Sequence, residues 1–163
     1  WILDGAKGRP SRLIRSLLLD TSVEEEHNWK LVRKYESIER EITSAERYLT
    51  TDAHLVVIAY GTAARIAKGA IKRVREIGLK VGLLRPVTLW PFPKRLLVDM
   101  SRLVRNFLVF EMSTGQMVED VKLSLEGRGN VHFYGRPGGI VSTPDEIAKV
   151  ISSLYYRQHL EEE

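Results

Sequence analysis

The run Leu55-Val56-Val57-Ile58-Ala59-Tyr60, closed by Gly61, most narrows the folds open to this chain. An unbroken apolar run of strand length, without polar alternation, marks a strand with apolar side chains on both faces. Such a strand sits inside a sheet covered above and below, so helices must pack on both sides of it. A second run of the same kind, Phe107-Leu108-Val109-Phe110, ends on an acid, Glu111, and is followed by Met112-Ser113-Thr114-Gly115-Gln116.

Helical periodicity fills the spaces between the runs. After Gly61, with Thr62 as expected cap, Ala63, Ile66, Ala70, Ile71, Val74 and Ile77 share one face, while Arg65, Lys68, Lys72 and Arg75 lie off it. Gly78 stands where a C-terminal glycine is expected. Lys80 to Leu84 reads as a second strand, closed by Arg85-Pro86. Pro93 suits a first helical position, and Leu96, Leu97, Met100, Leu103 and Val104 continue that stripe. Met117, Val118, Val121 and Leu125 mark the helix after Glu111, and Asn130 to Tyr134 a fourth strand. Thr143-Pro144-Asp145-Glu146 forms a capping box for a last helix that buries Ile147, Val150, Ile151, Leu154 and Tyr155. Strand and helix alternate with short connections, which predicts a three-layer α/β fold with a mostly parallel sheet.

Residues 1–50 follow a different pattern. Lys7 to Ser11 is turn-like, Leu13 to Leu19 is apolar, and Glu24-Glu25-Glu26 suits a helix start. Trp29, Val32, Tyr35 (or Glu36) and Ile38 give a loose stripe through about Arg47, rich in charges of both signs. Residues 1–50 are therefore expected to be a lead-in or connector, with the α/β domain in 51–163. The first residue is Trp1 rather than Met, so the natural start is expected to lie upstream and the chain to be a fragment.

Composition removes several function classes. The 163 residues contain no cysteine, which excludes disulfides, thiolate catalysis, cysteine-ligated zinc and iron–sulfur clusters held by this chain. No apolar run approaches the ~20 residues that span a bilayer, and no secretory pattern opens the chain. No membrane partner and a cytoplasmic setting are expected. The net charge of +4 is spread among interleaved acids and bases, as on solvated helix faces, so no nucleic-acid partner is expected. No His-x-x-x-His pair, dense Asp run or nucleophile elbow occurs, and neither a metal site nor Ser–His–Asp chemistry is expected.

Glu111 lies where open α/β sheets bind ligands and partners, and a carboxylate at the end of a buried strand needs compensation. Three roles are open to it: a general acid or base, an acceptor at an interface, or an acceptor for N–H groups of the next helix. Proton transfer needs a second titratable group, and His54 and His132 sit in strands while His27 and His159 lie near the ends. A structural or interface role is the better reading. Gln116, with Gly115 permitting close backbone approach, either reaches across an interface or is solvated. Trp90-Pro91-Phe92-Pro93 is a docking surface if exposed and an ordered loop over the sheet edge if packed. Gly61, Thr62 and Arg136, the last in Arg136-Pro137-Gly138-Gly139, are candidates for holding an anion, with plain turns as the alternative. Ala63 and Ile66 break any Gly-x-Gly-x-x-Gly pattern at the first turn, so independent nucleotide binding is not expected there.

Four segments taken in order resemble one family: Ala59 to Arg65, Val81 to Pro93, Val109 to Met117, and Gly135 to Gly139. They are similar to the C-terminal part of the alpha subunit of 2-oxoacid:ferredoxin oxidoreductases, especially the 2-oxoglutarate type. The resemblance covers about residues 54 to 150. It implies a fold like the C-terminal domain of transketolase, with one antiparallel strand that the four-strand reading lacks and that the lead-in would supply. It also implies a multi-subunit enzyme that oxidatively decarboxylates a 2-oxoacid with coenzyme A and passes electrons to ferredoxin. Thiamine diphosphate with Mg, coenzyme A and the iron–sulfur clusters would sit on other domains or on partners, namely a thiamine diphosphate-binding beta subunit and an iron–sulfur subunit. The chain alone is then expected to be inactive, an assembly domain whose interface or cleft residues are Glu111, Gly115, Gln116, Trp90, Pro91 and Phe92. The alternative is a stand-alone anion- or nucleotide-binding α/β module using Gly61, Thr62 and Arg136.

Overall fold

The computed structural model describes residues 4–160. They divide into two compact units that meet between Glu41 and Ile42. In the first unit, the helix α1 (Thr21–Ile42) follows an irregular segment. It starts earlier than Glu24 because Asp20 caps it: Asp20 Oδ1 accepts from the N–H groups of Ser22 (2.9 Å) and Val23 (3.3 Å). The hydroxyl of Ser22 first, and these N–H groups after it, hold the Asp20 carboxyl below its ordinary range. The helix ends at Ile42 rather than near Arg47, because the next residues form a strand. None of its residues is buried, and Trp29, Val32 and Tyr35 are exposed.

The second unit runs β1 (Ala45–Tyr48), β2 (Leu55–Ile58), α2 (Gly61–Glu76), β3 (Val81–Pro86), α3 (Lys94–Met100), β4 (Asn106–Glu111), α4 (Met117–Leu125), β5 (Asn130–Gly135) and α5 (Pro144–Leu160). The sheet order is β1-β3-β2-β4-β5. The pairs β3–β2, β2–β4 and β4–β5 are parallel, and β1 runs antiparallel to β3 with Glu46 opposite Arg85. The antiparallel strand implied by the resemblance is thus β1, inside the segment read as lead-in.

Both faces of the central strands are apolar, as the unbroken runs require. Leu55, Val57 and Ala59 with Leu108 and Phe110 face α2 and α5, where Ile71, Ile147 and Ile151 complete one core. Val56, Ile58, Phe107 and Val109 face α3 and α4, where Leu97, Met100, Val121 and Leu125 complete the other. The alternation follows from the period of two along a strand. Because β2 and β4 are neighbours whose following helices leave to opposite faces, their carboxyl ends flank the switch point of the sheet.

Element ends depart from the sequence reading in small, explicable ways. Thr62 is exposed and does not cap α2; Tyr60 holds the cap position with no side-chain hydrogen bond, and Gly61 takes the turn at φ 55°. Gly78, at φ 88°, closes α2 in a Schellman motif: its N–H donates to Arg75 O (3.0 Å) and that of Leu79 to Val74 O (3.1 Å). The chain turns away at that point, so Ile77, expected on the buried face, is exposed. Pro93 occupies the cap of α3 rather than its first turn, and α3 stops at Met100, leaving Leu103 exposed.

Arg75, expected on a solvated face, ties three elements together. Its Nε donates to Val81 O (2.7 Å), and its Nη2 donates to Leu49 O (2.8 Å) and Asp52 Oδ1 (2.7 Å). The hydrogen bond from Arg75 holds the Asp52 carboxyl below its ordinary range. This bracket presses the loop after β1 against β3 at Gly82. A methyl group on Gly82 would lie 2.7 Å from Leu49 O and 2.9 Å from Thr50 Cα, both backbone atoms. Gly82→Ala is expected to lower unfolding free energy by about 1–3 kcal/mol in denaturant titration, the usual cost of overpacking. A variant as stable as the parent would show that this loop gives way freely.

Candidate functional site

Glu111 is the last residue of β4 and is fully buried. Six residues later α4 begins, its cap residue Gln116 offering no side-chain cap of its own. Glu111 supplies the cap instead. Its Oε1 accepts from the N–H groups of Gln116 (3.2 Å) and Val118 (3.0 Å), and its Oε2 from the N–H of Met117 (3.0 Å). The Ser113 hydroxyl donates to Oε2 (3.1 Å) while accepting from the N–H of Gly115 (3.2 Å). A buried carboxylate is tolerated because charge-assisted bonds replace its water and because it lies at the positive end of a helix. Of the three roles open to Glu111, the one with hydrogen bonds in place is that of acceptor for the next helix.

Gly115 makes this turn possible. Its φ is 111°, and a Cβ there would lie 3.1 Å from Val118 Cγ1 and 3.4 Å from the Phe133 ring. Gln116 projects an exposed side chain beside the buried cap. Met117 is a core residue and Met112 packs against the opposite core. His54 accepts or donates at Nδ1 with the Tyr155 hydroxyl (2.9 Å) and stacks on that ring, joining the start of β2 to α5.

The Trp90–Pro93 segment, after β3, divides into an anchored and an exposed part. Pro91 and Pro93 are buried, and Phe92 packs against the core under α3 and α4. Trp90 is 62% exposed and stands with exposed Val87 and Leu89, forming an apolar ridge on an ordered base. The Trp90–Pro91 peptide is cis.

The three anion candidates fall into two places. Gly61 and Thr62 line a cavity beside β1 and β3 that also includes Arg65, Lys68 and Arg85. Arg136 is not among the residues lining that cavity: its Nη1 donates to Glu146 Oε1 (2.8 Å), which also accepts from the Tyr134 hydroxyl. The Tyr134 bond first, and Arg136 after it, hold the Glu146 carboxyl below its ordinary range, while the same bond raises the Tyr134 phenol. Thr143 Oγ1 accepts from the Glu146 N–H (3.2 Å), so half of the expected capping box forms and the Glu146 carboxylate turns to β5 instead. Arg65 and Lys68 were readable only as solvated charges, since nothing in the sequence places β1 beside them. Among the described residues no group of three or more His, Asp or Glu side chains could hold a metal ion, and no helix is long and apolar enough to cross a membrane.

Residues 53–147 match the family described as pyruvate:ferredoxin oxidoreductase core domain II. The chain is 37% identical over 151 residues to ketoisovalerate oxidoreductase subunit VorB of Methanothermobacter marburgensis, which covers 92% of this chain and 43% of that protein. It is 33% identical over 138 residues to 2-oxoglutarate synthase subunit KorA of Methanothermobacter thermautotrophicus, covering 83% of this chain and 37% of that one. The chain thus spans less than half the length of the curated relatives it matches. Among solved structures, 2-oxoglutarate:ferredoxin oxidoreductase from Magnetococcus marinus, with 2-oxoglutarate, coenzyme A and succinyl-CoA bound, aligns with a TM-score of 0.68 at 19% identity, over 83% of this chain and 24% of that one. A split-gene transketolase, as an inactive beta4 tetramer, aligns with a TM-score of 0.50 at 20% identity, over 69% of this chain and 37% of that one. These two likenesses show a shared fold.

Two stability outcomes follow from the bonding around Glu111 and Glu146. Glu111→Ala leaves N–H groups of Gln116, Met117 and Val118 without acceptors and is expected to cost about 3 kcal/mol or more. A loss under about 1 kcal/mol in urea unfolding would mean that α4 is capped by other means. Glu146 has a depressed folded pKa, so its bonds stabilise the fold above the unfolded carboxylate pKa of ~4.3 and fade as pH falls through the lower folded value. Glu146→Gln is therefore expected to lower Tm at neutral pH, with the gap to the parent closing as pH falls below the unfolded carboxylate value of about 4.3. A gap constant with pH would contradict the assignment.

Proposed function

Because the chain belongs to the family described as pyruvate:ferredoxin oxidoreductase core domain II, we propose that it is the assembly domain of the alpha subunit of a 2-oxoacid:ferredoxin oxidoreductase. That enzyme would oxidatively decarboxylate a 2-oxoacid to an acyl-CoA and pass the electrons to ferredoxin in the cytoplasm. Thiamine diphosphate with Mg, coenzyme A and the iron–sulfur clusters would be held by other domains and by beta and iron–sulfur subunits. The residues of this chain fit that division: without cysteine it has no thiolate for a cluster, and Glu111 is committed to the start of α4.

The observation that carries the assembly role is the ridge of Val87, Leu89 and Trp90, exposed on a base fixed by buried Pro91 and Pro93. An apolar ridge on a rigid base loses little entropy on docking, and tryptophan is prominent among residues that dominate interfaces. Gly115 and Gln116 would lie at or beside the same contact, with Glu111 supporting their turn from inside. Two substrate types are supported. The motifs resemble the 2-oxoglutarate type, while the longer and more identical match is to a ketoisovalerate subunit.

The test is binding of the chain to a purified thiamine diphosphate-binding beta subunit from the same source, read by calorimetry. Trp90→Ala is expected to weaken the complex about thirtyfold, as for a central interface tryptophan worth ~2 kcal/mol. Unchanged affinity would remove the ridge from the interface, and tight binding of thiamine diphosphate by the chain alone would remove the assembly reading. Turnover of the reconstituted enzyme with 2-oxoglutarate and with ketoisovalerate decides between the two substrate types.

A further inference from the structure

The second unit contains a cavity of about 600 Å³ between the first turns of α2 and the β1–β3 edge, away from the Trp90 ridge and the Glu111 turn. Its volume lies within the range of small-molecule sites, roughly 300–1,000 Å³. Charges around it are not arranged as on an ordinary solvated face. Arg65 and Lys68 stand three residues apart on the same side of α2, a spacing that sets like charges against each other. They also lie near the positive end of a helix whose first turn has no acidic residue. Arg85 enters from β3 across the cavity, paired with Glu46 on β1 at 2.8 Å. Lys68 is held in place rather than free to swing away, its Nζ 4.7 Å from the centroid of the Tyr48 ring.

We propose that this cavity binds a small molecule through a phosphomonoester group, held between Arg65, Lys68 and Arg85. Arg47, Arg65, Lys68 and Arg85 against Glu46 leave the lining with three positive charges, an excess that favours a group carrying the −1.5 to −2 charge of a phosphomonoester near neutral pH. Guanidinium groups suit phosphate oxygens because two parallel N–H donors meet two acceptors. The N–H groups at the start of α2 have no side-chain cap, so they add donors at the rim beside Gly61 and Thr62. Ala64 and Leu83 give the remaining wall an apolar surface on which the organic part of the ligand rests. Bound phosphate would relieve the repulsion between Arg65 and Lys68, so the unfavourable spacing becomes useful only when the site is filled. The site needs no other subunit and does not rest on the assembly role.

The experiment titrates the full chain with adenosine monophosphate, inorganic phosphate and succinate at fixed ionic strength, read by calorimetry and by amide chemical shifts. Saturable one-to-one binding of adenosine monophosphate is expected, with inorganic phosphate competing and shifts centred on Gly61, Thr62, Arg65 and Arg85. Arg65→Gln with Lys68→Gln is expected to weaken binding at least tenfold, and Lys72→Gln, a turn further along α2 and outside the cavity lining, to leave it unchanged. Glu46→Gln removes the competing carboxylate from Arg85 and should tighten binding. Succinate binding as tightly as phosphate would overturn the ligand class, and inorganic phosphate without adenosine monophosphate would overturn the phosphomonoester. Weakening by Lys72→Gln equal to that of the double variant would reduce the effect to general charge and remove the site. Unfolding midpoints of the variants, read alongside, separate loss of binding from loss of fold. Affinity of the double variant for the beta subunit keeps the outcome distinct from that of the assembly role.

Discussion

Glu111 and the first turn of α4 depend on each other. The carboxylate ends a strand with no access to water, where an uncompensated charge would be expelled or neutralised. The first N–H groups of α4 have no partner within their own helix and no cap from Gln116. Placing one against the other satisfies both, and the geometry then fixes much else. Gly115 must be glycine to take the turn, Phe133 must lie beside it, and Gly135 must leave room for the Ser113 carbonyl, 2.4 Å from where its Cβ would be. The backbone carbonyl of Glu111 accepts from Arg136 N–H at 3.1 Å, so the same residue that starts α4 also holds the end of β5. A change at this one side chain is transmitted to a helix, a turn and the neighbouring strand.

Much of this architecture is legible in the sequence because burial on two faces leaves a simple signature. β2 and β4 are unbroken apolar runs, and the stripes of α2, α4 and α5 name most of the residues found in the two cores. β1 is different: Ala45-Glu46-Arg47-Tyr48 is short and polar, as an edge strand can be, and it follows a helical pattern without a break. Only its pairing with β3 makes it a strand, and that pairing is a contact between distant residues. Helix ends were read less well for a related reason. Asp20 caps α1 locally but stands beside a run of glutamates that equally suits a helix start, whereas α4 is capped from the preceding strand, which no local rule for caps anticipates.

The candidate site was legible in part. Glu111 could be singled out because a carboxylate at the end of an apolar run is anomalous, but its partners were a matter of which way the next turn folds. Arg75, Arg65 and Lys68 look alike in sequence as cations off the apolar face of one helix. The fold separates them completely. Arg75 is drawn into hydrogen bonds with Val81, Leu49 and Asp52, while Arg65 and Lys68 are left facing a cavity. Arg136, grouped with Gly61 and Thr62 as an anion ligand, is instead neutralised by Glu146.

The carboxyl edge of a parallel sheet presents the same electrostatic problem at each crossover, since every strand there leads to a helix whose positive end points back toward it. At α4 the problem is met by a buried carboxylate from β4. At α5 it is met by Thr143 and by acids in the first turn. At α2, as at α3, the cap residue makes no side-chain hydrogen bond and no acid stands in the first turn, and at α2 Arg65 and Lys68 line the adjoining cavity as well. A chain selected for stability alone gains by placing one acid there, as it has at α4 and α5. Leaving that position positive has a cost in stability, which an anion bound in the cavity beside α2 would offset. The two sides of the switch point are thus specialised in opposite ways, the α4 side closed on its own charge and the α2 side open to another's.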